Sequence, residues 1–480
     1  MPETIQFEFP DDCPNDSITN FFYYYTDFSE LCRSVCKESI RYALQSGREF
    51  SCAPREIEVF FGIIMFMGIS RLPALRDYFR TDELGQSFVR NSMSRDRFSE
   101  ILRNLHFTNN LAEQSKTDKA WKVRSLIEHF NFVYQRFAAN TANQSIDEHM
   151  IKFKGNNSMK QYIKNKPIKW GFKVWERCDS LSGYLYEYDL YTGRKSTPEL
   201  GLGESVVLQL SSSLQDSFAT LYADNYFSSP LLAKKLLESG IYFTGVVKQN
   251  RVGMPSFMKD DELERGDYQA FTSQQNAMNA VKWIDNKAVC IITTKNDCQV
   301  EETVLRRKKG QKEKVTYACP SVIKDYNQYM GGVDKHDRMT LTVDPNRRSN
   351  FRFYLRLGFN FLSQSVVNAK IAWDTIHRDE KPLSSKEFRL ALCRGIISDF
   401  TSRVRAVTNE KKSINRPLQP VSDGAHLPVV IPRARRVVCY QRQKDLKTFW
   451  GCSNESCSGA WCINVNRNCF FEYHNKVPKV

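Results

Sequence analysis

Three aspartates stand where strand and helix ends could bring carboxylates to one point. Asp147 lies in Ser145-Ile146-Asp147-Glu148-His149, and Asp224 closes Leu221-Tyr222-Ala223-Asp224-Asn225. Asp334 follows Gly331-Gly332-Val333 at the start of an expected helix, with Asp337 one turn further on. Hard divalent cations such as Mg²⁺ take oxygen ligands and are held by a few carboxylates together with substrate phosphate. Two such ions roughly 4 Å apart activate an attacking oxygen and stabilise a leaving one in phosphodiester cleavage. Adjacent strands lie only about 5 Å apart, so aspartates distant in sequence can meet on one sheet. The plainer alternative is that these are strand-end and helix-start aspartates accepting from backbone N–H groups. A chain with 54 acids offers many such triples.

Thiols form the second constellation. Cys439, Cys452, Cys457, Cys462 and Cys469 are clustered and followed by His474, whereas the other nine of the fourteen cysteines are scattered between Cys13 and Cys393. The scattered ones read as small buried hydrophobes. The N-terminal stretch MPETIQFEFPDD is acidic and has no secretory pattern, which makes disulfides unexpected. Clustered thiols with a histidine then read as zinc ligands.

The elements that must position these groups divide by period. From about residue 17 to 140 the pattern is helical. Ser17 is the expected first cap, Ser51-Cys52-Ala53-Pro54 opens a helix with Val59, Ile63, Phe66 and Met67 on its apolar face, and Ser94 opens another through Phe98, Ile101, Leu102 and Leu105. Near residue 145 the period shortens. Ile146–Lys154, Gly171–Arg177, Tyr184–Leu190, Thr220–Ala223 and Ile241–Val247 read as strands, with Leu231–Ser239 as an interleaved helix. That alternation is the α/β signature. Val281–Ile284 and Ala288–Thr293 suggest a hairpin, Arg306–Lys314 a solvated basic loop, and Phe353–Asp374 a helix with Leu355, Phe359, Leu362 and Val366 on one face. Residues 411–447 hold nine Lys/Arg against two Asp, with four prolines, the composition of a basic extended linker.

Composition bounds the partners. With 480 residues, 41% hydrophobic and 12% aromatic, the chain can build large ordered cores and is not a disordered tail protein. The longest apolar run, Val59–Ile69, has eleven residues, short of the roughly 18–20 of a membrane span, so an intracellular soluble protein is expected. A formal net charge of +15 favours polyanionic partners, nucleic acid first. Lys164, Lys166 and Lys169, interleaved with Tyr162 and Trp170, could track a phosphate backbone or be solvated strand-edge lysines. His149 and His336 sit beside the acids, where structural roles are the commoner outcome. The segment 433–436 (RARR) could serve nuclear import, phosphate binding or simple solvation.

Six ordered blocks carry a resemblance. They are FFGIIMFMGISRLPALRDYF (60–79), MSRDRFSEILRNLHFTNN (93–110), SIDEHMIKFKG (145–155), NKPIKWGFKVW (165–175), ADNYFSSPLLAKKLLESGIYFTGVVKQNR (223–251) and YNQYMGGVDKHDRM (326–339). Over roughly residues 17–474 the chain resembles piggyBac-type transposases and their domesticated derivatives. The resemblance implies an α/β fold: an RNase H-like catalytic core with a flanking helical domain, an insertion domain and a small C-terminal cysteine-rich zinc module. It implies a helical dimerisation and DNA-binding domain at 17–143 and 345–410. The catalytic core would occupy 144–250 and 316–344, interrupted by an insertion at 251–315. A basic linker would follow at 411–437, and the zinc module at 438–475.

By the same resemblance Asp147, Asp224 and Asp334 would be the catalytic, Mg²⁺-holding triad for two ions, with Asp337 accessory. Cys439, Cys452, Cys457, Cys462, Cys469 and His474 would hold one or two Zn²⁺. The implied partner is double-stranded DNA, cut and joined at TTAA by a homodimer in the nucleus, with no membrane. Two departures stand out. Arg436 replaces the first cysteine of the pair that would end at Cys439, and Cys452 and Cys457 are spaced wider than usual; Arg352-Phe353 stands where the family tends to place a tryptophan. A domesticated DNA-binding or chromatin protein without transposition activity is the alternative. An RNA-binding or zinc-finger regulator would explain the charge and cysteines but not the six blocks.

Overall fold

The computed structural model describes residues 1–111, 117–193, 201–273, 277–295, 301–307, 313–346 and 352–401, then 427–435, 447–453, 460, 463–464, 467–468 and 470. In chain order the elements begin with β1 (Gln6–Phe7), α1 (Ile18–Thr26), α2 (Phe28–Gln45), α3 (Pro54–Ile69), α4 (Ser87–Ser92), α5 (Arg95–Asn104) and α6 (Trp121–Arg136). There follow β2 (Ala138–Ala139), β3 (Asn143–Lys152), β4 (Gln161–Tyr162), β5 (Trp170–Asp179), β6 (Leu185–Leu190), α7 (Leu202–Leu210), β7 (Thr220–Ala223), α8 (Pro230–Glu238) and β8 (Tyr242–Val246). Next come β9 (Tyr268–Ser273), β10 (Met278–Ile284), β11 (Ala288–Thr293), β12 (Glu301–Arg307) and β13 (Lys314–Pro320). The last are α9 (Ser321–Tyr329), α10 (Gly332–Leu341), α11 (Phe353–Ile376), α12 (Ser385–Ile397), β14 (Pro428–Arg435), β15 (Lys447–Cys452), β16 (Ile463–Asn464) and β17 (Arg467–Asn468).

The chain divides into two compact units, Met1–Thr26 with Leu126–Ala391, and Asp27–Ser125 with Leu392–Val480. In the first, a nine-stranded sheet runs β4-β5-β3-β7-β8-β11-β10-β9, with β6 also on β5. The strands β6, β5 and β3 are antiparallel, β7 and β8 continue parallel to β3, and β11, β10 and β9 return to antiparallel pairing. This mixed sheet with flanking helices is consistent with an RNase H-like core. All four residues of β7 are buried, as expected of a parallel strand covered on both faces. Val207 and Leu210 of α7 and Leu232 and Leu236 of α8 pack with Leu221, Phe243 and Ile292 of the sheet. Strands β9–β11, which fall in the stretch read as an insertion, extend this same sheet.

Helix α11 is buried nearly all round, not along one face. Among its polar residues, Asn368 accepts from Leu185 N at 2.9 Å and donates to Leu185 O at 2.7 Å, tying the helix to β6. The solvated loop expected at Arg306–Lys314 is corrected at its ends. Arg306 and Arg307 finish β12 and Lys314 opens β13, because the strand-formers on either side pair: Thr303-Val304 lies opposite Tyr317-Ala318, and Val315-Thr316 opposite Leu305-Arg306. Arg306 Nε meets Asp285 Oδ2 at 3.1 Å.

In the second unit α5 has its expected serine cap and α3 its expected proline start. Ser94 Oγ accepts from Arg97 N at 3.1 Å, and Pro54 is the first residue of α3. Arg97 then bridges to Glu56 at 2.7 Å, joining the starts of α5 and α3. Helix α3 buries Val59, Phe60, Phe61, Ile63, Ile64 and Met65, so its apolar run is enclosed on several sides. Pro428–Arg435, composed like a linker, pairs as strand β14 with β15. Among the described residues no helix is long and apolar enough to cross a membrane. In the first unit Ser17 Oγ accepts from Asn20 N at 3.2 Å, as its cap role requires.

Candidate functional site

Strand pairing brings the first two aspartates together. Ile146 of β3 is in register with Ala223 of β7 in a parallel pair, so Asp147 and Asp224 follow at the same level of adjacent strands. Ligand oxygens of Asp147, Asp224 and Glu148 all lie within 4.8 Å of one another. Asp147 Oδ1 accepts from the Glu148 N–H at 2.7 Å, which turns the carboxylate back along its own strand. Asp224 Oδ1 accepts from Tyr226 N at 2.8 Å in the turn after β7. Burial, with the neighbouring Glu148 charge, pushes the Asp147 carboxyl well above the usual carboxylate range, against Lys166. Burial also raises Asp224. Carboxylates so crowded favour a bound cation.

Asp334 arrives from the other side of the sequence, in the first turn of α10. Gly332 makes that approach possible. A Cβ on Gly332 would stand 2.5 Å from Ser145 Oγ and 2.6 Å from Asp179 O, so only glycine lets the helix start sit on β3 and β5. Asp334 is outside the tight Asp147–Glu148–Asp224 group; it lines a cleft of about 510 Å³ with Glu148, Lys166, Asp337 and Arg338. Lys166 links the two sides. Its Nζ is 3.2 Å from Glu148 Oε1; burial opposes its charge, but Asp147, Glu148 and Asp334 together raise its pKa.

Asp337 joins a different group. With buried His149 and Glu176 it forms a second set of ligand atoms within 4.8 Å, and its Oδ1 is ion-paired to His149 Nδ1. Burial opposes the imidazolium, yet Asp337 and Glu176 outweigh it and raise the His149 pKa. Glu176 is raised by burial, and Gln364 Nε2 donates to its Oε1. His336 is buried beside them: its Nδ1 bonds Gly183 O at 2.9 Å, and burial lowers its pKa to about 4 despite the nearby Asp337 charge.

Sequence reading did not single out Glu148, Glu176 or Lys173. Lys173 Nζ lies 3.8 Å from the Trp175 ring centroid, 4.4 Å from that of Tyr226, and 4.0 Å from Glu148 Oε2. The sequence places Glu176 in the strand-like stretch Gly171–Arg177, but the register that sets it opposite Asp147 is seen only in the structure. Of the proposed zinc ligands, Cys452 is half-buried at the end of β15; Cys439, Cys457, Cys462, Cys469 and His474 lie outside the described residues.

Known proteins share this arrangement of the chain. A family model described as Transposase IS4 matches residues 21–370. PiggyBac transposable element-derived protein 3 of Homo sapiens is 31% identical over 467 residues, 93% of this chain and 74% of that protein. PiggyBac transposable element-derived protein 2 of Homo sapiens is 28% identical over 315 residues, and the aligned part spans 63% of this chain and 53% of that one. In fold, the chain matches a solved cryo-EM structure, the piggyBac transposase synaptic complex with hairpin DNA. The TM-score is 0.70 at 23% identity, covering 82% of this chain and 83% of that one. With a family model matched across most of its length and relatives aligned along nearly all of it, the chain belongs to the piggyBac-type transposase family.

Proposed function

We propose that this chain is a DNA transposase, or a derivative of one, that cuts and joins DNA at TTAA by metal-dependent phosphodiester chemistry. The observation that carries the reading is the meeting of Asp147, Glu148 and Asp224 within 4.8 Å, where β7 ends beside the middle of the parallel strand β3. An all-oxygen donor set of this crowding fits a hard divalent cation. Asp147 and Asp224, with Asp334 from α10, would hold Mg²⁺, two ions being the expectation. When bound, such ions neutralise charge on the phosphate and lower the pKa of water.

The chain's own residues do the rest. Lys166 and Lys173 supply fixed positive charge beside the acids and favour approach of a phosphate. The cleft beside Glu148 and Asp334 gives a scissile phosphate a wall on either side. The His149–Asp337 pair ties β3, which carries Asp147, to α10, which carries Asp334. Asp337 is a positioning residue in this reading. Double-stranded DNA is the substrate, a homodimer the working form and the nucleus its compartment. Zn²⁺ at the C-terminal cysteines and His474 would stabilise a small module.

Incubating purified protein with a TTAA-flanked donor and Mg²⁺ tests this. Nicking at the element end, abolished by EDTA and by Asp224→Ala, is expected. Absence of nicking, or nicking untouched by Asp224→Ala, would count against it. One set of observations favours the domesticated DNA-binding alternative: Arg436 and Phe353 stand where the family tends to have cysteine and tryptophan. DNA binding that survives Asp147→Ala, with no strand breakage by the parent protein, would select it.

A further inference from the structure

The hairpin formed by β4 and β5 carries chemistry that cleavage does not use. From Lys152 to Trp170 the chain holds six lysines and no acid. Its turn is closed by Ile163 N donating to Lys169 O at 2.9 Å, and β4 forms the edge of the sheet. Tyr162 and Trp170 are direct cross-strand partners there, with ring centroids 4.7 Å apart. Cross-strand aromatic pairs stabilise sheets by covering each other, but these two leave 52% and 53% of their surfaces exposed.

Cations frame the pair. Lys160 Nζ stands 5.3 Å from the Trp170 ring centroid and is held there by donating to Gly155 O at 2.7 Å. Lys164 and Lys169 are exposed beside it. In the same turn Lys166, Pro167 and Ile168 line the acidic cleft with Asp334. A half-open aromatic pair ringed by lysines, two residues from the catalytic wall, has the composition of a single-strand platform: flat faces for bases and positive charge for the backbone. Solvent-facing lysines alone would need no aromatics. A protein partner docking on aromatics would not require six cations without an acid.

We propose that Trp170 and Tyr162 form a stacking platform for unpaired DNA bases next to the cleaved phosphate, with Lys164 and Lys169 on the flanking backbone. The proposal rests on the DNA-cleaving reading of the adjacent cleft, and names the part of the substrate that this hairpin takes. Phosphate contacts fix position, whereas the stacked base would select DNA that is frayed or already cut.

The test is fluorescence anisotropy of the full chain in EDTA, where nothing is cut, with two dye-labelled duplexes. One is blunt, and the other carries a 3′ tail of four unpaired thymidines. The parent protein should bind the tailed duplex more tightly. Trp170→Ala with Tyr162→Ala should weaken tailed binding by between about 5- and 100-fold and leave blunt binding unchanged. Trp170→Phe should keep most of the preference, since a flat ring remains. Lys164→Gln with Lys169→Gln should weaken both duplexes and lower the salt slope by about two.

Equal losses on both duplexes, or no loss on either, would overturn the platform; so would a preference for a matching uridine RNA tail over DNA. Melting temperatures of the variants separate a folding defect from lost stacking. Tail-selective binding without any nicking by the parent would sink the catalytic reading and leave the platform standing. Nicking without tail selectivity would do the reverse.

Discussion

Asp147 is a carboxylate kept where its charge is poorly solvated, and that has a sign that can be measured. Burial and Glu148 raise its pKa from 3.8 to about 8. A carboxyl raised in the fold is penalised when ionised, so its contribution is favourable in acid and is lost as pH rises from about 4 to about 8. In chelated buffer Asp147→Asn should therefore raise the melting temperature by about 2 °C or more at pH 8, and by less at pH 5. Mg²⁺ should stabilise the parent at pH 8 and not the variant. A calorimetric scan showing no gain at pH 8 would mean the acids are not frustrated. His149 and Asp337 behave differently, because they compensate each other. Removing one leaves a buried charge without its partner, at a cost of about 3 kcal/mol. A double-mutant cycle with His149→Asn and Asp337→Asn should show the double variant recovering part of that loss in urea unfolding. Simple additivity would refute the pairing.

Helix α10 is held by what its first residues lack. Gly332→Ala would drive a methyl against Ser145 Oγ and Asp179 O. Overpacking of this kind costs about 1–3 kcal/mol, and because it lifts Asp334 it should reduce nicking by more than tenfold. Unchanged nicking with lowered stability would show that Asp334 is not needed where it stands. The element types were largely legible in sequence, because helix and strand periods are local. Thr220–Ala223 was read with its observed bounds, since a short β-branched and aromatic run ended by Asp224-Asn225 has clear punctuation. Burial all round α11 was not legible: Asn368 and Gln364 look like a polar face until β6 and Glu176 supply their partners. The Glu148 contact was hidden for a related reason. Strand alternation assigns Asp147 and Glu148 to opposite faces, and only the bond from Glu148 N to Asp147 Oδ1 turns the carboxylate toward its neighbour. Arg306 looked solvated because its partner Asp285 lies on another turn.

Across the whole molecule, charge and metal content make separable predictions. On the proposed DNA-cleaving reading, a chain with +15 formal charge should lose DNA affinity steeply with salt, by about 0.9 in log–log slope per phosphate contact. Zinc follows from the C-terminal sequence alone: elemental analysis of the purified chain should find about one zinc per molecule, lowered by Cys457→Ser. Zinc absent from active protein would remove the metal module from the reading. The unit built on the nine-stranded sheet contains every carboxylate assigned to cleavage, so its metal affinity can be examined without DNA. The most direct measurement is a Mn²⁺ titration of the full chain at pH 7.5, followed by electron paramagnetic resonance of the free ion. Saturable uptake by the parent that is lost in both Asp147→Asn and Asp224→Asn is the expected result. Uptake unchanged by either substitution, or absent from the parent, would contradict the claim that β3 and β7 build one cation site.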